Sequence, residues 1–342
     1  MKDMLQRILD GGVLSRDEAM HAAKRLASGE IEPTLIAGVL IALRSRGETE
    51  DEVAGFAEGM RQLAVKPRLD GSIVQRSVDI VGTGGDGAST YNISTAAALL
   101  TAACGQPVVK HGNRAISSSS GAADVLGRLG IPVEMNEATA AACLSRCGFT
   151  FLYAPRYHPA VGVIAPVRKG LGVRTVFNML GPMTNPAAPP FGVIGAYSML
   201  AAERMAGAFA MGDSRRVLVI HSHDGLDEPT PASAFEVFDV QGGRVSRSVM
   251  SAAEFGLKPC SLQELKGGDS EHNAKAMRAV FCGEKSAHRD AVVLSGALAL
   301  LCCGVVKDRR EAAGVAQRAI DDGRALRLVD ELAKVCAEGA SA

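Results

Sequence analysis

The sequence predicts an α/β protein: a small N-terminal helical domain, then a large domain with a mainly parallel central sheet flanked by helices. Two observations support this. The first seventy residues show helical spacing and helix caps, and from Ser77 onward short β-branched runs alternate with alanine-rich segments. Such alternation is typical of βαβ units. We place the helical domain at residues 1–72 and the α/β domain at residues 73–342.

Helix signals fill the N-terminal region. Ser15 with Glu18, and Thr49 with Glu52, have the spacing of a capping box, in which two groups satisfy the free N–H groups at a helix start. Residues 32–47 carry apolar side chains at helical spacing and end in arginine and glycine, as helix C-termini often do. We therefore expect a helical unit before any strand.

Strand and helix patterns alternate in the larger domain. The predicted strands lie in the runs SVDIVG, QPVVKHG, IPVEM, FTFLYAP, VIGAY and RRVLVIHSHDG. A passage rich in proline and glycine indicates that the chain leaves the sheet and returns, and we expect a helical excursion near residues 165–190 that rejoins the N-terminal domain. The apolar run from Ala291 to Val306 is shorter than the roughly 20 residues of a membrane span, so we expect a core helix.

Composition argues against two classes of partner. Lys+Arg and Asp+Glu both number 37, so we expect no general attraction to nucleic acid or to a membrane surface. The N-terminal segment lacks the apolar core and cleavage site of a signal peptide. The eight cysteines form no C-x-x-C pair, which favours buried, reduced thiols in a cytoplasmic protein.

A glycine-rich loop follows the first predicted strand. In DIVGTGGDGASTYNIST, Gly82, Gly84 and Gly87 have the spacing G-x-G-x-x-G, which lets backbone N–H groups approach an anion. A dinucleotide site would also need the third glycine in the first helical turn and an acidic residue after the second strand. Neither is present, so a dinucleotide oxidoreductase is the weakest alternative. We expect a phosphate loop, with the next helix starting and capped near residues 92–95.

Two further loops follow strand ends. The loop KHGNRAISSSSG presents cations and amides that suit phosphate, followed by four serines. The loop HSHDGLDEP places Asp227 and Glu228 together, and neighbouring carboxylates beside a polyphosphate commonly hold magnesium. Because the carboxyl ends of parallel strands share one edge of a sheet, we expect the loops to converge on a polyphosphate with a metal. His221 and His223 face one side of a strand, so a zinc site is an alternative, although a third ligand is not evident.

These motifs, in this order, resemble the anthranilate phosphoribosyltransferase family. The resemblance runs from IALRSRGETEDEVAGFAEGMR through the two phosphate loops and APRYHPAVGVIAPVRKGLGVRTVFNMLGPMTNPA to DGLDE and RDAVVLSGALALL. It implies the fold shared by nucleoside phosphorylases and phosphoribosyltransferases, Mg2+ as cofactor, and usually a homodimer formed through the helical domain. The implied reaction transfers the phosphoribosyl group of 5-phosphoribosyl 1-pyrophosphate to the amine of anthranilate, in tryptophan biosynthesis.

The resemblance also implies roles for individual residues. Ser94 would help hold one magnesium ion, and Asp227 and Glu228 would bind a second. Asn113 and Arg168 would contact the anthranilate carboxylate, and Lys110 with residues 113–118 would form a lid over the phosphates. His111 and Arg168 are the catalytic candidates, although His111 has the alternative of a hydrogen bond within its turn. The implied substrate-binding set is Gly82, Gly85, Asp86, Thr90, Asn92, Ile93, Ser94, Thr95, Lys110, His111, Gly112, Asn113, Arg114, Ala115, Ile116, Ser117, Ser118, Ala122 and Arg168.

Two departures from the family pattern leave alternatives open. Where the family usually reads G-S-A-D, this chain has Ala122, which offers no hydroxyl to phosphate and would weaken one contact by roughly 1 kcal/mol. The segment PTPASAFEV after Glu228 is shorter and richer in proline than usual. The alternatives are a related phosphoribosyltransferase or nucleoside phosphorylase with another nitrogenous acceptor, and a non-catalytic paralogue that binds nucleic acid.

Overall fold

The structure, a computed structural model, describes residues 1–85, 87, 90–114 and 119–340. Helical elements dominate the chain. The α-helices are α1 (Lys2–Leu9), α2 (Arg16–Leu26), α3 (Pro33–Arg46), α4 (Glu50–Leu63), α5 (Gly71–Val74), α6 (Ile93–Ala103), α7 (Ala122–Arg128), α8 (Glu137–Cys147), α9 (Ala154–Tyr157), α10 (Val161–Leu171), α11 (Phe177–Leu180), α12 (Met199–Ala210), α13 (Ser270–Phe281), α14 (Ala287–Cys302), α15 (Arg309–Asp321) and α16 (Arg324–Ala340).

The strands form a single seven-stranded sheet in the described part of the chain. They are β1 (Val78–Gly82), β2 (Val108–Gly112), β3 (Phe149–Tyr153), β4 (Phe191–Gly195), β5 (Arg216–Ser222), β6 (Phe235–Gln241) and β7 (Arg244–Met250). Their order in the sheet is β3-β2-β1-β4-β5-β6-β7, and β1 to β5 are parallel. The predicted α/β class with a mainly parallel sheet is therefore confirmed.

Two features of the sheet differ from the prediction. The run IPVEM is not a strand: it connects α7 to α8, buries Ile131 and Met135 in the core, and contains a proline, which has no N–H to donate to a ladder. The hairpin of β6 and β7 was not predicted and adds two antiparallel strands at one edge. Its turn uses Gly242 and Gly243, both at positive φ, as a tight two-residue hairpin turn requires.

The N-terminal helices have the predicted caps. The Ser15 and Thr49 side chains accept hydrogen bonds from the N–H groups of Glu18 and Glu52, and both capping boxes are complete. Helices α2 and α4 lie unusually close, because a Cβ on Gly55 would stand 2.2 Å from the Arg16 carbonyl oxygen. Small residues at this contact therefore let the two backbones approach.

Two apolar clusters cover the two faces of the sheet. One contains the buried side chains of α6, α8 and α14 to α16. The other joins α1 to α4 with α10, α11, α12 and the opposite face of β4 to β6. The proline- and glycine-rich passage is helical in α10 and α11, which pack on α3 and α4. The division of the chain at residue 72 stays a prediction.

Helix α14 is the predicted core helix. It is almost wholly buried and ends at Cys302, shortly before Gly304, which has positive φ. Within the described residues, none of the helices combines the length and the apolar character that crossing a bilayer requires. The eight cysteines are free thiols, but the expectation that they are buried is wrong for Cys282, which is exposed.

Candidate active site at the carboxyl ends of the central strands

The candidate site lies where the order of the sheet reverses. Strand β1 lies between β2 and β4, so the loops that follow β1 and β4 lead away in different directions and leave a crevice at their carboxyl ends. Gly82 and Gly195 end these two strands and are partners in the register. The predicted phosphate loop follows Gly82 directly.

Asp227 is seated on this glycine pair. A Cβ on Gly82 would stand 2.3 Å from the Asp227 Oδ2, and a Cβ on Gly195 would stand 1.6 Å from its carbonyl oxygen. Asp227 Oδ2 accepts hydrogen bonds from the Gly84 N–H at 2.5 Å and the Thr83 hydroxyl at 3.3 Å. Because Gly82 and Gly195 have no side chains, the acidic loop, which carries Asp227 and Glu228, packs against the sheet and contacts the glycine loop.

Glu228 faces the start of α6. Its Oε1 accepts a hydrogen bond from the Ser94 N–H at 3.1 Å, in the first turn of that helix, where N–H groups lack helical partners. Burial, and then repulsion from Asp227, raises the pKa of Glu228 to about 8. The structure thus brings Glu228 and the Ser94 backbone together, and the assignment of these residues to magnesium stays a prediction.

Lys110 lies below the loops. The residue is 1% exposed, and its Nζ donates a hydrogen bond to the Ile80 carbonyl oxygen of β1. Burial lowers the pKa of Lys110, while Asp79 and Glu228 raise it. We expected this side chain to be part of a lid over the phosphates, and that expectation is wrong, because the side chain is buried and bonded to the neighbouring strand β1.

Asp79 and Asn185 are polar groups that sequence reasoning missed. Asp79 is buried in β1, where its Oδ1 accepts from the His111 N–H at 3.3 Å and its Oδ2 from the Asn185 Nδ2 at 2.8 Å. Burial raises the pKa of Asp79 to about 6 against the opposing effect of Lys110. The one available signal was a carboxylate inside the apolar run SVDIVG.

His111 is a neutral ring with one free nitrogen lone pair. Its Nδ1 lies 3.3 Å from the Gly181 carbonyl oxygen, which can only accept, so the proton is on Nδ1. The buried Nε2 has no hydrogen-bond partner among the described residues. Burial, and then the neighbouring His158 ring, lowers the pKa of His111 to about 3. His111 therefore stays neutral and can offer Nε2 as a hydrogen-bond acceptor.

The second phosphate loop is described at both ends. Asn113 Oδ1 accepts from the Arg114 N–H at 2.7 Å, and the Asn113 carbonyl oxygen accepts from the Ala123 N–H at 3.2 Å. Ala122 begins α7 and packs near Gly112, where a Cβ would stand 3.5 Å from its methyl carbon. The predicted residues Asp86, Ala115, Ile116, Ser117 and Ser118 lie outside the described residues.

Other predicted residues of the first loop face inward. Ile93 and Thr95 are buried in α6, so their side chains face the core. Thr90 pairs with Lys266 in an isolated antiparallel bridge. The expectation that the Asn92 amide caps α6 is wrong, because this side chain bonds instead to Ser120 and Asn273.

The excursion carries two arginines, of which Arg174 contacts the glycine loop. Arg168, in α10, places its guanidinium 5.5 Å from the Phe177 ring centroid, and burial lowers its pKa. Arg174 was missed by sequence reasoning: it stacks on Tyr197 at 4.4 Å and donates a hydrogen bond to the Gly85 carbonyl oxygen. Arg174 therefore ties the excursion to the glycine loop.

The histidine pair has other partners. His221 Nδ1 lies 2.9 Å from the Ala196 carbonyl oxygen, and His223 Nε2 lies 3.1 Å from Glu236 Oε1. Across the described ranges, three or more His, Cys, Asp or Glu side chains nowhere form a group fit to hold a metal ion. A cation at Asp227 and Glu228 would therefore need further oxygen ligands, which a bound polyphosphate and water supply.

A separate cavity lies at the opposite edge of the sheet. It has a volume of about 420 Å3 and lies between α2, α4 and the amino ends of β4 and β5, with Arg16 and Arg61 in its wall, and it reaches Asp79 and Asn185 beneath the loops. The loops just described follow the carboxyl ends of the strands, so this cavity is not the candidate site.

Comparison with known proteins relates the whole chain to one family. A family model described as "Glycosyl transferase family, a/b domain" matches residues 74–326, and one described as "Glycosyl transferase family, helical bundle domain" matches residues 2–64. An anthranilate phosphoribosyltransferase from Azorhizobium caulinodans is 40% identical over 333 residues, which is 97% of this chain and 96% of the relative. One from Methylocella silvestris is 42% identical over 334 residues, covering 97% of this chain and 94% of the relative.

Solved structures agree with the sequence relatives. The crystal structure of anthranilate phosphoribosyltransferase from Thermus thermophilus superimposes with a TM-score of 0.91 at 38% identity, covering 98% of this chain and 99% of that one. The Saccharomyces cerevisiae anthranilate phosphoribosyltransferase in complex with PRPP and Mg has a TM-score of 0.88 at 26% identity, covering 98% and 97%.

Proposed function

The chain belongs to the anthranilate phosphoribosyltransferase family, and on that basis we propose how its residues perform the reaction. The enzyme transfers the phosphoribosyl group of 5-phosphoribosyl 1-pyrophosphate to the amine of anthranilate, giving N-(5-phosphoribosyl)anthranilate and pyrophosphate, in tryptophan biosynthesis. The observation that carries the proposed site is Asp227 on its glycine pair, because it joins the acidic loop to the phosphate loop at one crevice.

Asp227 and Glu228 would hold magnesium, with Ser94 at their side. The donor set fits this ion, which prefers a few carboxylate oxygens and completes its shell with phosphate oxygens and water. The adjacent carboxylates of Asp227 and Glu228 beside the phosphate loop support the assignment, because a bound cation would offset their mutual repulsion. The ion would neutralise charge on the departing pyrophosphate. The complex of the yeast relative with PRPP and Mg supports the same requirement here.

The glycine loop would bind the donor through backbone N–H groups beyond Gly84, whose own N–H is bonded to Asp227. Gly84 and Gly85 have positive φ, and a Cβ on either would have no heavy atom of the described residues within 4 Å, so the loop is open on the side away from Asp227. Arg174 holds this loop through the Gly85 carbonyl oxygen. The loop thus enters the reaction already held in place.

Anthranilate would lie between the second loop and the excursion. Arg168 and Asn113 would bind its carboxylate, for which a planar guanidinium offers paired donors. The Nε2 lone pair of His111 would accept a hydrogen bond from the arylamine and orient it, and the proton would leave to solvent after the C–N bond has formed, because a ring with a pKa of about 3 is a weak base. Because its ring is neutral at pH 7, His111 is ready to accept without first losing a proton.

A fluorescence assay tests this proposal. The purified protein is mixed with phosphoribosyl pyrophosphate, Mg2+ and anthranilate, and the loss of anthranilate fluorescence is followed with and without EDTA. We expect magnesium-dependent loss, a fall of about 100-fold or more in Asp227→Asn, and a KM for anthranilate raised about 10- to 100-fold in Arg168→Ala. Loss that continues in EDTA contradicts the metal site. Binding of phosphoribosyl pyrophosphate without any loss of anthranilate points to another nitrogenous acceptor.

The state of the protein in the cell is part of the proposal. Eight free thiols support a cytoplasmic location, where thiols stay reduced. A homodimer through the helical domain is supported by apolar side chains left exposed on α1, α3 and α10, namely Leu9, Ile41 and Val163. Helix α3 contacts both α1 and α10, which supports placing the three side chains in one proposed contact.

A further inference from the structure

A chain of side-chain amides links the two phosphate loops to the C-terminal half of the protein. The Gly268 N–H donates to Asn273 Oδ1 at 2.8 Å, Asn273 Nδ2 donates to Asn92 Oδ1 at 2.8 Å, and Asn92 Nδ2 donates to the Ser120 carbonyl oxygen at 3.0 Å. Asn92 directly precedes α6, and Ser120 ends the serine run before α7. Asn92 therefore joins the two loops directly, and Asn273, a residue of α13, holds the Asn92 amide from the other side.

The direction of these bonds leaves one arrangement. A backbone N–H can only donate, so Asn273 must turn its oxygen to Gly268 and its NH2 group to Asn92. Asn92 must then accept with its oxygen and turn its own NH2 group to Ser120, whose carbonyl can only accept. Asn273 is 1% exposed, so an amide left without these partners would cost free energy.

The backbone segment that precedes α13, residues 265–267, packs closely against the first phosphate loop. Thr90 pairs with Lys266, and the Tyr91 N–H donates to the Leu265 carbonyl oxygen at 3.1 Å. A Cβ on Gly267 would stand 2.8 Å from the Thr90 oxygen and 2.9 Å from Asn273 Oδ1. Close approach of this segment to the loop therefore depends on a glycine, which brings Asn273 within reach of Asn92.

We propose that Asn273 is a positioning residue for the phosphoribosyl pyrophosphate site, acting through Asn92 to set the separation of the two phosphate loops. The side-chain oxygen and one side-chain N–H of Asn92 are already hydrogen-bonded within the protein. Its main role is therefore to connect the two loops. The inference rests on the proposed function, because it assumes that both loops enclose the same diphosphate. Residues 270–281, far along the chain from either loop, thereby belong to the substrate site.

A double-mutant cycle on Asn92 and Asn273 tests this role. We expect Asn273→Ala to raise the KM for phosphoribosyl pyrophosphate about tenfold, because the variant loses one hydrogen bond that orders the phosphate loops. The KM for anthranilate should change much less. In an Asn92→Ala background the same change should have no further effect on that KM, because its partner is already gone. Asn136→Ala is the matched control: it removes another asparagine whose side chain bonds to backbone, at the start of α8, and should leave the KM unchanged.

The outcomes separate the inference from the proposed function. The positioning role is overturned if the double variant raises the KM for phosphoribosyl pyrophosphate by the product of the two single effects. An unchanged KM in a folded Asn273→Ala protein overturns it as well. An equal rise of the KM in Asn136→Ala also overturns it, because general destabilisation then explains the effect. If the wild-type protein neither binds phosphoribosyl pyrophosphate nor consumes anthranilate, the proposed function itself fails and this inference fails with it.

Discussion

The pairing of Gly82 with Gly195 decides where the acidic loop can sit. Each glycine ends a strand, each is the register partner of the other, and together they leave the space that Asp227 occupies. A methyl group at either place would enter the Asp227 backbone or carboxylate. The two glycines therefore leave the space that positions Asp227, the carboxylate proposed to bind metal.

Gly195→Ala tests that arrangement. Its Cβ would lie 1.6 Å from the Asp227 carbonyl oxygen, so the acidic loop must shift, and we expect kcat/KM to fall about 100-fold or more because misplacement of about 1 Å carries a cost of that size. Gly71→Ala is the control, because the described structure places no atom within 4 Å of the Cβ that it would add. A folded Gly195→Ala protein with unchanged dependence on magnesium contradicts the account.

His111 makes stability depend on pH. Its pKa falls from 6.5 to about 3 on folding, so between these values the unfolded chain binds a proton that the native protein does not. Stability should therefore fall as pH falls through this window. We expect His111→Gln to lose less stability than the wild type between pH 7 and pH 4.5, measured by urea unfolding. Asp79, whose raised pKa acts in the opposite direction, is present in both proteins, and equal slopes contradict the prediction.

At the scale of elements, the first turn of α4 is held by one buried carboxylate. Glu52 is 0% exposed, and it accepts from the N–H groups of Thr49 and Leu14, both at 2.9 Å, and from Arg46. The capping box was predictable from four residues of sequence, whereas the bonds to Leu14 and Arg46 depend on how the helices pack. One side chain thus caps a helix and joins three segments of the helical unit.

Glu52→Ala should destabilise the protein strongly. It leaves two buried N–H groups without an acceptor and a cation without its partner, and we expect a loss of about 3 kcal/mol in the free energy of unfolding, measured with urea. Glu18→Ala removes the exposed member of the other capping box and should cost much less. Equal losses would show that the additional bonds of Glu52 contribute nothing.

At the scale of the whole molecule, the helical unit has a surface that the chain itself does not cover. Leu9, Ile41 and Val163 are 62%, 38% and 38% exposed, and α3, which carries Ile41, contacts the helices of the other two. Single exposed apolar residues are common, but three on adjoining helices are the pattern expected of an interface.

Ile41→Glu tests the proposed dimer. We expect the wild type to have about twice the chain mass of 35.5 kDa by size-exclusion chromatography with light scattering, and the variant to shift toward the monomer because a charge would enter an apolar contact. Val249→Glu, at an exposed position on β7, is the control and should not change the mass. A wild-type monomer contradicts the proposal.

The class of fold and the order of the motifs were predictable from the sequence alone. Alternating strand and helix patterns predict a parallel sheet, and in such a sheet loops that follow strands must meet at one edge, so the convergence of the glycine loop with the loop of Asp227 and Glu228 was predictable. Local hydrogen bonds, such as those of the capping boxes, were predictable because both partners lie within four residues.

Tertiary packing, in contrast, determines which polar side chains face the crevice and which are buried below it and bonded to other elements. Lys110, from a basic loop motif, is buried against β1, and Asn273 reaches Asn92 across 181 positions of sequence. The physical reason is that the direction of a side chain on a strand, and the partners of a buried amide, depend on elements far away in the chain. A motif records which groups are present, but packing determines what each of them contacts.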